Sequence, residues 1–125
     1  VITLGTPSHG DPVSGHAWRL YEHLSGQSVS ELRDKLAKLE PLSQPLTAIY
    51  SRTDGLVPWQ RCRQPAAERV ENIEINSSHY GLGHHPLSLY ILADRLAQRE
   101  GEWAPFERPD GIGHLAFPDP DRDAA

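Results

Sequence analysis

The chain has no methionine, a single cysteine and no apolar run that approaches a membrane span, and each absence narrows what it can be. Cys62 has no second cysteine to pair with, which excludes an internal disulfide and a cysteine-cluster metal centre. A transmembrane helix needs roughly 18 consecutive apolar residues, and every apolar run here is broken well before that, so no membrane span is expected. No signal-peptide pattern opens the sequence, so its location is open, with the cytoplasm as the default. Basic residues are scarce too: 12 Lys and Arg stand against 17 Asp and Glu, a formal net charge of −5. That balance argues against nucleic acid as a partner, because neutralising phosphates needs a basic face. The 125 residues suit one domain at most, and 10 Gly with 11 Pro are too few for a low-complexity linker. A rather polar globular domain is what remains.

The missing methionine carries an expectation of its own. Val1-Ile2-Thr3-Leu4 is apolar and β-branched and reads as a buried strand, whereas chain ends ordinarily sit in exposed, loosely held backbone. A longer protein, of which these residues are a piece, is therefore expected.

Gly5-Thr6-Pro7 ends that first strand, and residues 7–16 read as loop. A short helix is expected over 17–24, with Trp18, Leu20, Tyr21 and Leu24 as its apolar positions. A second helix starts at Ser28, where Ser28 and Glu31 have capping-box spacing and Val29, Leu32, Leu36 and Leu39 share one face. Pro41 and Pro45 stop it. The second strand is Leu46 to Ser51, followed by Thr53-Asp54-Gly55; Pro58 then opens a turn, with room for a helix through Arg69. Asn72 to Asn76 reads as the third strand, ending at Ser77-Ser78-His79 and a Gly-rich loop. Pro86 occupies the first position of the strongest helix, where its missing N–H costs nothing, and Gly101 can cap the far end. From Trp103 to Ala125 there is no periodicity. That tail is expected to be irregular, tacked on by Trp103, Phe106 and Phe117, with its Asp-Pro-Asp-Arg-Asp end disordered.

Strands alternating with helices imply parallel strands joined by crossovers, hence an α/β architecture with three parallel strands. Parallel sheets usually have more strands and both faces covered, so the first strand is expected to present an edge that missing polypeptide would occupy.

Ligands in an open parallel sheet sit beyond the carboxyl ends of the strands. Thr6, Ser8 and His9 follow the first strand, Asp54 the second and His79 the third. A carboxylate after one strand and an imidazole after the next is the arrangement in which Asp orients His, leaving Nε2 to take a proton from a nucleophile. Each residue has a plainer reading. Asp54-Gly55 also suits a turn that needs positive φ, and His79 also suits an ordinary surface loop. His79, His84 and His85 together suggest a metal site, but the spacing is loose and no second cluster completes a tetrahedron, so no metal is expected. His84 or His85 is better placed packing near His79. Cys62 reads as a half-buried thiol, and Trp59 as packing under the acid loop.

Leu46 to Pro58 resembles the acid-bearing strand and loop of the α/β-hydrolase fold, in which the triad Asp is followed by a small residue and a Val-Pro pair. Ile73 to Leu82 is similar to the last strand and histidine loop of esterases and lipases in that superfamily. Val1 to Pro7 resembles the strand after the nucleophile helix in lipase-like members, and residues 8–45 occupy the place of the lid insertion and its following helix. The resemblance covers roughly residues 1–100; the superfamily's chain order is Ser, then Asp or Glu, then His, and the last two stand here in that order. It departs in one respect: no Gly-x-Ser-x-Gly occurs, and Val13-Ser14-Gly15-His16 lacks the leading glycine. The resemblance thus implies the carboxy-terminal part (residues 1–102, followed by the tail 103–125) of a lipase- or esterase-like serine hydrolase. In that reading Asp54 is the orienting acid and His79 the general base, with Thr6, His9 and Trp18 as weaker substrate-binding candidates. The substrate would be a small-molecule or lipid ester, no cofactor would be needed, and the nucleophile would come from the missing amino-terminal part. Residues 1–125 alone would then be inactive. Two rivals remain at this point: a non-catalytic interaction domain on a truncated hydrolase fold, and a His-rich metal-binding module.

Overall fold

The computed structural model describes residues 1–8, 23, 26, 43–111 and 113–122. Three parallel strands, β1 (Ile2–Leu4), β2 (Leu46–Tyr50) and β3 (Val70–Glu74), form a sheet in the order β1-β2-β3. The class is α/β, with helices α1 (Trp59–Cys62), α2 (His79–Leu82), α3 (Pro86–Ala97) and α4 (Gly113–Ala116) among the described residues. β2 is central and buried along its whole length, as a strand covered on both faces should be. Its one polar residue is satisfied, since the Thr47 hydroxyl donates to Glu71 at 2.6 Å. β1 has β2 as its only strand neighbour among the described residues, so its other edge is open there. The helices expected over 17–24 and from Ser28, with most of the lid-like insertion, lie outside the described residues.

β3 begins two residues earlier than the apolar pattern predicts. Val70 and Glu71 pair with Leu46 and Thr47, and Arg69, in a left-handed conformation at φ 61°, makes the entry turn. Glu71 hides this start from a hydropathy reading. Its carboxylate is paid for by tertiary partners: Thr47, the Arg95 guanidinium at 2.9 Å and the Phe106 N–H at 2.7 Å. The helix predicted from Pro58 stops after one turn at Cys62. Gln64 precedes Pro65, which disfavours helical backbone, and the Asn72 side chain grips the Gln64 N–H and C=O at 2.7 and 2.9 Å.

The core gathers Ile49, Ile73, Ile75, Leu82, Ile91 and Phe117. Burying each such side chain is worth about 1.5–3 kcal/mol. Phe117 and Phe106 tie the tail to this core, their ring centroids 5.0 Å apart, and the one-turn helix α4 leads into Phe117. The acidic end is also held as far as Arg122, whose guanidinium clasps the Glu74 carboxylate with two contacts of 2.7 Å. α3 ends at Ala97 with Gln98 extended, so Gly101 turns the chain beyond the helix rather than capping it.

Glu74 is 1% exposed and accepts from Arg52 and Tyr50 as well. Burial alone would raise its pKa; the hydrogen bonds and charges of Arg122 and Arg52 outweigh that and hold it below the ordinary 4.5. A depressed carboxylate contributes stability at pH above its unfolded value and loses it as pH falls through the folded one. Thermal unfolding followed by circular dichroism is therefore expected to weaken below about pH 4.5. In Glu74→Gln that acid limb flattens, and stability at neutral pH falls by roughly 2–3 kcal/mol as charged hydrogen bonds are lost.

Candidate active site

All three strands deliver a residue to one point beyond their carboxyl ends. Asp54 leaves β2 through a tight turn in which its Oδ1 accepts the N–H groups of Leu56 and Val57 at 2.8 and 2.9 Å. This is a turn role, but Gly55 takes no part in it through positive φ. The second oxygen, Oδ2, lies 2.7 Å from Nδ1 of His79. The Asp54 side chain is 1% exposed and that of His79 30%, so the carboxylate is sealed while the imidazole still reaches solvent.

His79 opens α2 instead of lying in a loop. Ser78 is the N-cap, its hydroxyl accepting the Gly81 N–H at 3.1 Å, which fixes the turn that carries the imidazole. A Cβ on Gly81 would crowd the hydroxyls of Ser77 and Ser78, so a larger residue there would force those hydroxyls to turn away. An ionised carboxylate can only accept, so the bond to Asp54 puts the proton on Nδ1 and leaves the Nε2 lone pair for a donor.

The third contribution comes from Gly5 at the end of β1. Its backbone is left-handed, φ 58°, and its N–H donates to the Ile49 carbonyl at 2.9 Å. A Cβ at this position would lie 3.2 Å from both Asp54 Oδ2 and His79 Nδ1. Backbone therefore packs directly on the carboxylate–imidazole bond, a closeness that only glycine allows. In the sequence Gly5 reads only as a strand end, and nothing local marks this close approach.

The other sequence candidates are distributed differently. Thr6 turns its hydroxyl back to the Leu4 carbonyl at 3.4 Å in an exposed position. His9 and Trp18 lie outside the described residues. His85 caps α3, its Nδ1 accepting the Leu87 N–H at 3.2 Å. No group of three His, Cys, Asp or Glu residues able to hold a metal exists among the described residues, so His79, His84 and His85 form no such site. Cys62 is 2% exposed, more buried than expected, and burial together with the charge of Asp54 pushes its thiol up to about 11. Trp59 stacks on Tyr50 at 5.9 Å under the guanidinium of Arg52. Tyr80, 80% exposed, stands edge-on to the His79 ring at 6.1 Å. A cavity of about 400 Å³ lies at the other end of the sheet, between Ile2, Thr47 and the end of α3, and contains neither member of the pair.

Comparison with known proteins finds no matching family model, no matching curated protein and no matching solved structure.

Proposed function

We propose that this chain supplies the acid and the base of a serine-type carboxylic ester hydrolase built on the α/β-hydrolase fold. One observation carries the reading: a sealed carboxylate and a solvent-reaching imidazole, on neighbouring parallel strand ends, share a bond of 2.7 Å. A buried, backbone-pinned carboxylate bonded to Nδ1 is what a general base needs, because it fixes the tautomer and stabilises the imidazolium that forms. The order of the segments, strand then acid then histidine, supports the same reading.

In this mechanism His79 Nε2 removes the proton of a serine hydroxyl as that oxygen attacks the ester carbonyl. The imidazolium then returns the proton to the departing alkoxide, and a second cycle with water releases the acid. Gly-x-Ser-x-Gly does not occur in residues 1–125, so under this reading the serine and the backbone donors for the oxyanion belong to other polypeptide. The substrate class is a small-molecule or lipid ester, and the chemistry calls for no cofactor.

Hydrolysis of p-nitrophenyl butyrate by the full-length protein tests this. Turnover that disappears in His79→Ala supports the reading. Turnover no faster than buffer, or unchanged in His79→Ala, overturns it. Turnover by residues 1–125 alone overturns the external serine.

A further inference from the structure

We propose that the Ser51 hydroxyl, working through Thr53 and Ser77, is the positioning device that sets the gap between Asp54 and His79; this rests on the hydrolase reading above. Each half of the pair is rigid by itself. The Asp54 carboxylate is pinned by the N–H groups of Leu56 and Val57, and the His79 turn is pinned by Ser78. Neither anchor crosses from one loop to the other. The strands cannot set the gap alone, because the last backbone rung between them is Ile75 N–H to the Tyr50 carbonyl at 3.0 Å, short of both side chains.

Beyond that rung the ladder continues through hydroxyls. Ser77 N–H donates to Ser51 Oγ at 3.0 Å, and the Ser77 carbonyl accepts from Thr53 Oγ1 at 3.0 Å. Both backbone polar groups of Ser77 are thus held by side chains of the acid loop. The direction of the remaining bond follows. Thr53 has one hydroxyl proton and gives it to Ser77, so in the 2.9 Å contact between Ser51 Oγ and Thr53 Oγ1 the serine is the donor. Ser51 Oγ also accepts the Thr53 N–H at 3.2 Å, so it makes one donated and two accepted bonds. Its capacity is full. Ser51 is 1% exposed and Ser77 9%, so the Ser77 N–H to Ser51 Oγ bond is buried, while Thr53 closes the bridge from the exposed side. Asp54 is the next residue after Thr53 and His79 lies two beyond Ser77, so the bridge joins the halves within a residue or two of the reacting groups.

Nuclear magnetic resonance of the full chain tests the proposal through the His79 Nδ1 proton and ring nitrogens, which report the bond to Asp54 and not merely the fold. Thr53→Val keeps the shape and removes the bridge to Ser77; Thr53→Ser restores the hydroxyl. The Nδ1 proton signal is expected to weaken in Thr53→Val, with circular dichroism unchanged, and to return in Thr53→Ser. In the full-length protein kcat is expected to fall on the order of 10- to 100-fold at similar KM, the scale of a misplacement near 1 Å. Ser51→Ala is expected to show the same loss if it folds, and Thr53→Val decides the matter if it does not. A wild-type signal in Thr53→Val overturns the positioning role while leaving the hydrolase reading intact. A wild-type signal in Asp54→Asn overturns the hydrolase reading itself.

Discussion

Asp54→Asn is expected to lower ester turnover by roughly 10³- to 10⁴-fold while leaving the protein folded. The reason lies in which atoms can donate. Asp54 Oδ1 already accepts two backbone N–H groups, so the amide that replaces the carboxylate is expected to place its oxygen there. Its NH₂ then faces Nδ1 of His79, where Oδ2 stood at 2.7 Å. An amide N–H can only donate, so Nδ1 must become the acceptor and the ring proton moves to Nε2. The base would then carry a proton on the atom that should receive one. Nitrogen shifts of His79 check the tautomer directly, and turnover measured with a soluble ester checks its consequence. Retention of the Nδ1–H form in Asp54→Asn, with turnover near wild type, would show that the carboxylate does not govern the imidazole.

Gly5→Ala is expected to damage both the fold and the pair. An L-residue held at φ 58° costs about 1–2 kcal/mol for the backbone alone. The new methyl would also stand 2.7 Å from Leu82 Cδ1 and 3.2 Å from the two atoms of the Asp54–His79 bond. Leu82 is 1% exposed and lies in the core, so it has little room to withdraw. A total loss of roughly 2–4 kcal/mol is expected, enough to lower Tm by more than about 8 °C. Gly101→Ala is the control: it is left-handed too, at φ 84°, but nothing lies within 4 Å of the added methyl. A thermal melt of each variant separates strain from crowding. Equal losses in the two would mean that Gly5 matters for its backbone angle alone, and that nothing presses on the pair.

The sequence was informative where a local rule decides structure. Leu46 to Tyr50 is continuously apolar apart from one threonine, and it is the buried central strand. Pro86 starts α3 where its ring fits the first helical turn. Placing Asp54 and His79 after successive strands was enough to put them at one edge of a parallel sheet. Local rules fail where a partner comes from far along the chain. Glu71 looks like a loop residue and is strand, because Arg95 and the Phe106 amide neutralise its carboxylate. The acidic end looks unstructured, yet Arg122 reaches Glu74 across 48 positions of sequence. Gly5, Ser51 and Ser77 have no periodicity or motif that marks them. Their importance arises only from what the fold sets beside them.

The order of residues by itself therefore determined the class of the fold and the strand ends at which chemistry could reside, because burial and turn formation act over a few neighbouring positions. The tertiary structure decided the rest: that the carboxylate meets the imidazole at bonding distance, that a bare backbone glycine closes over them, and that side-chain hydroxyls span the two loops. Those contacts join segments tens of residues apart, and their geometry exists only once the sheet has set the segments side by side.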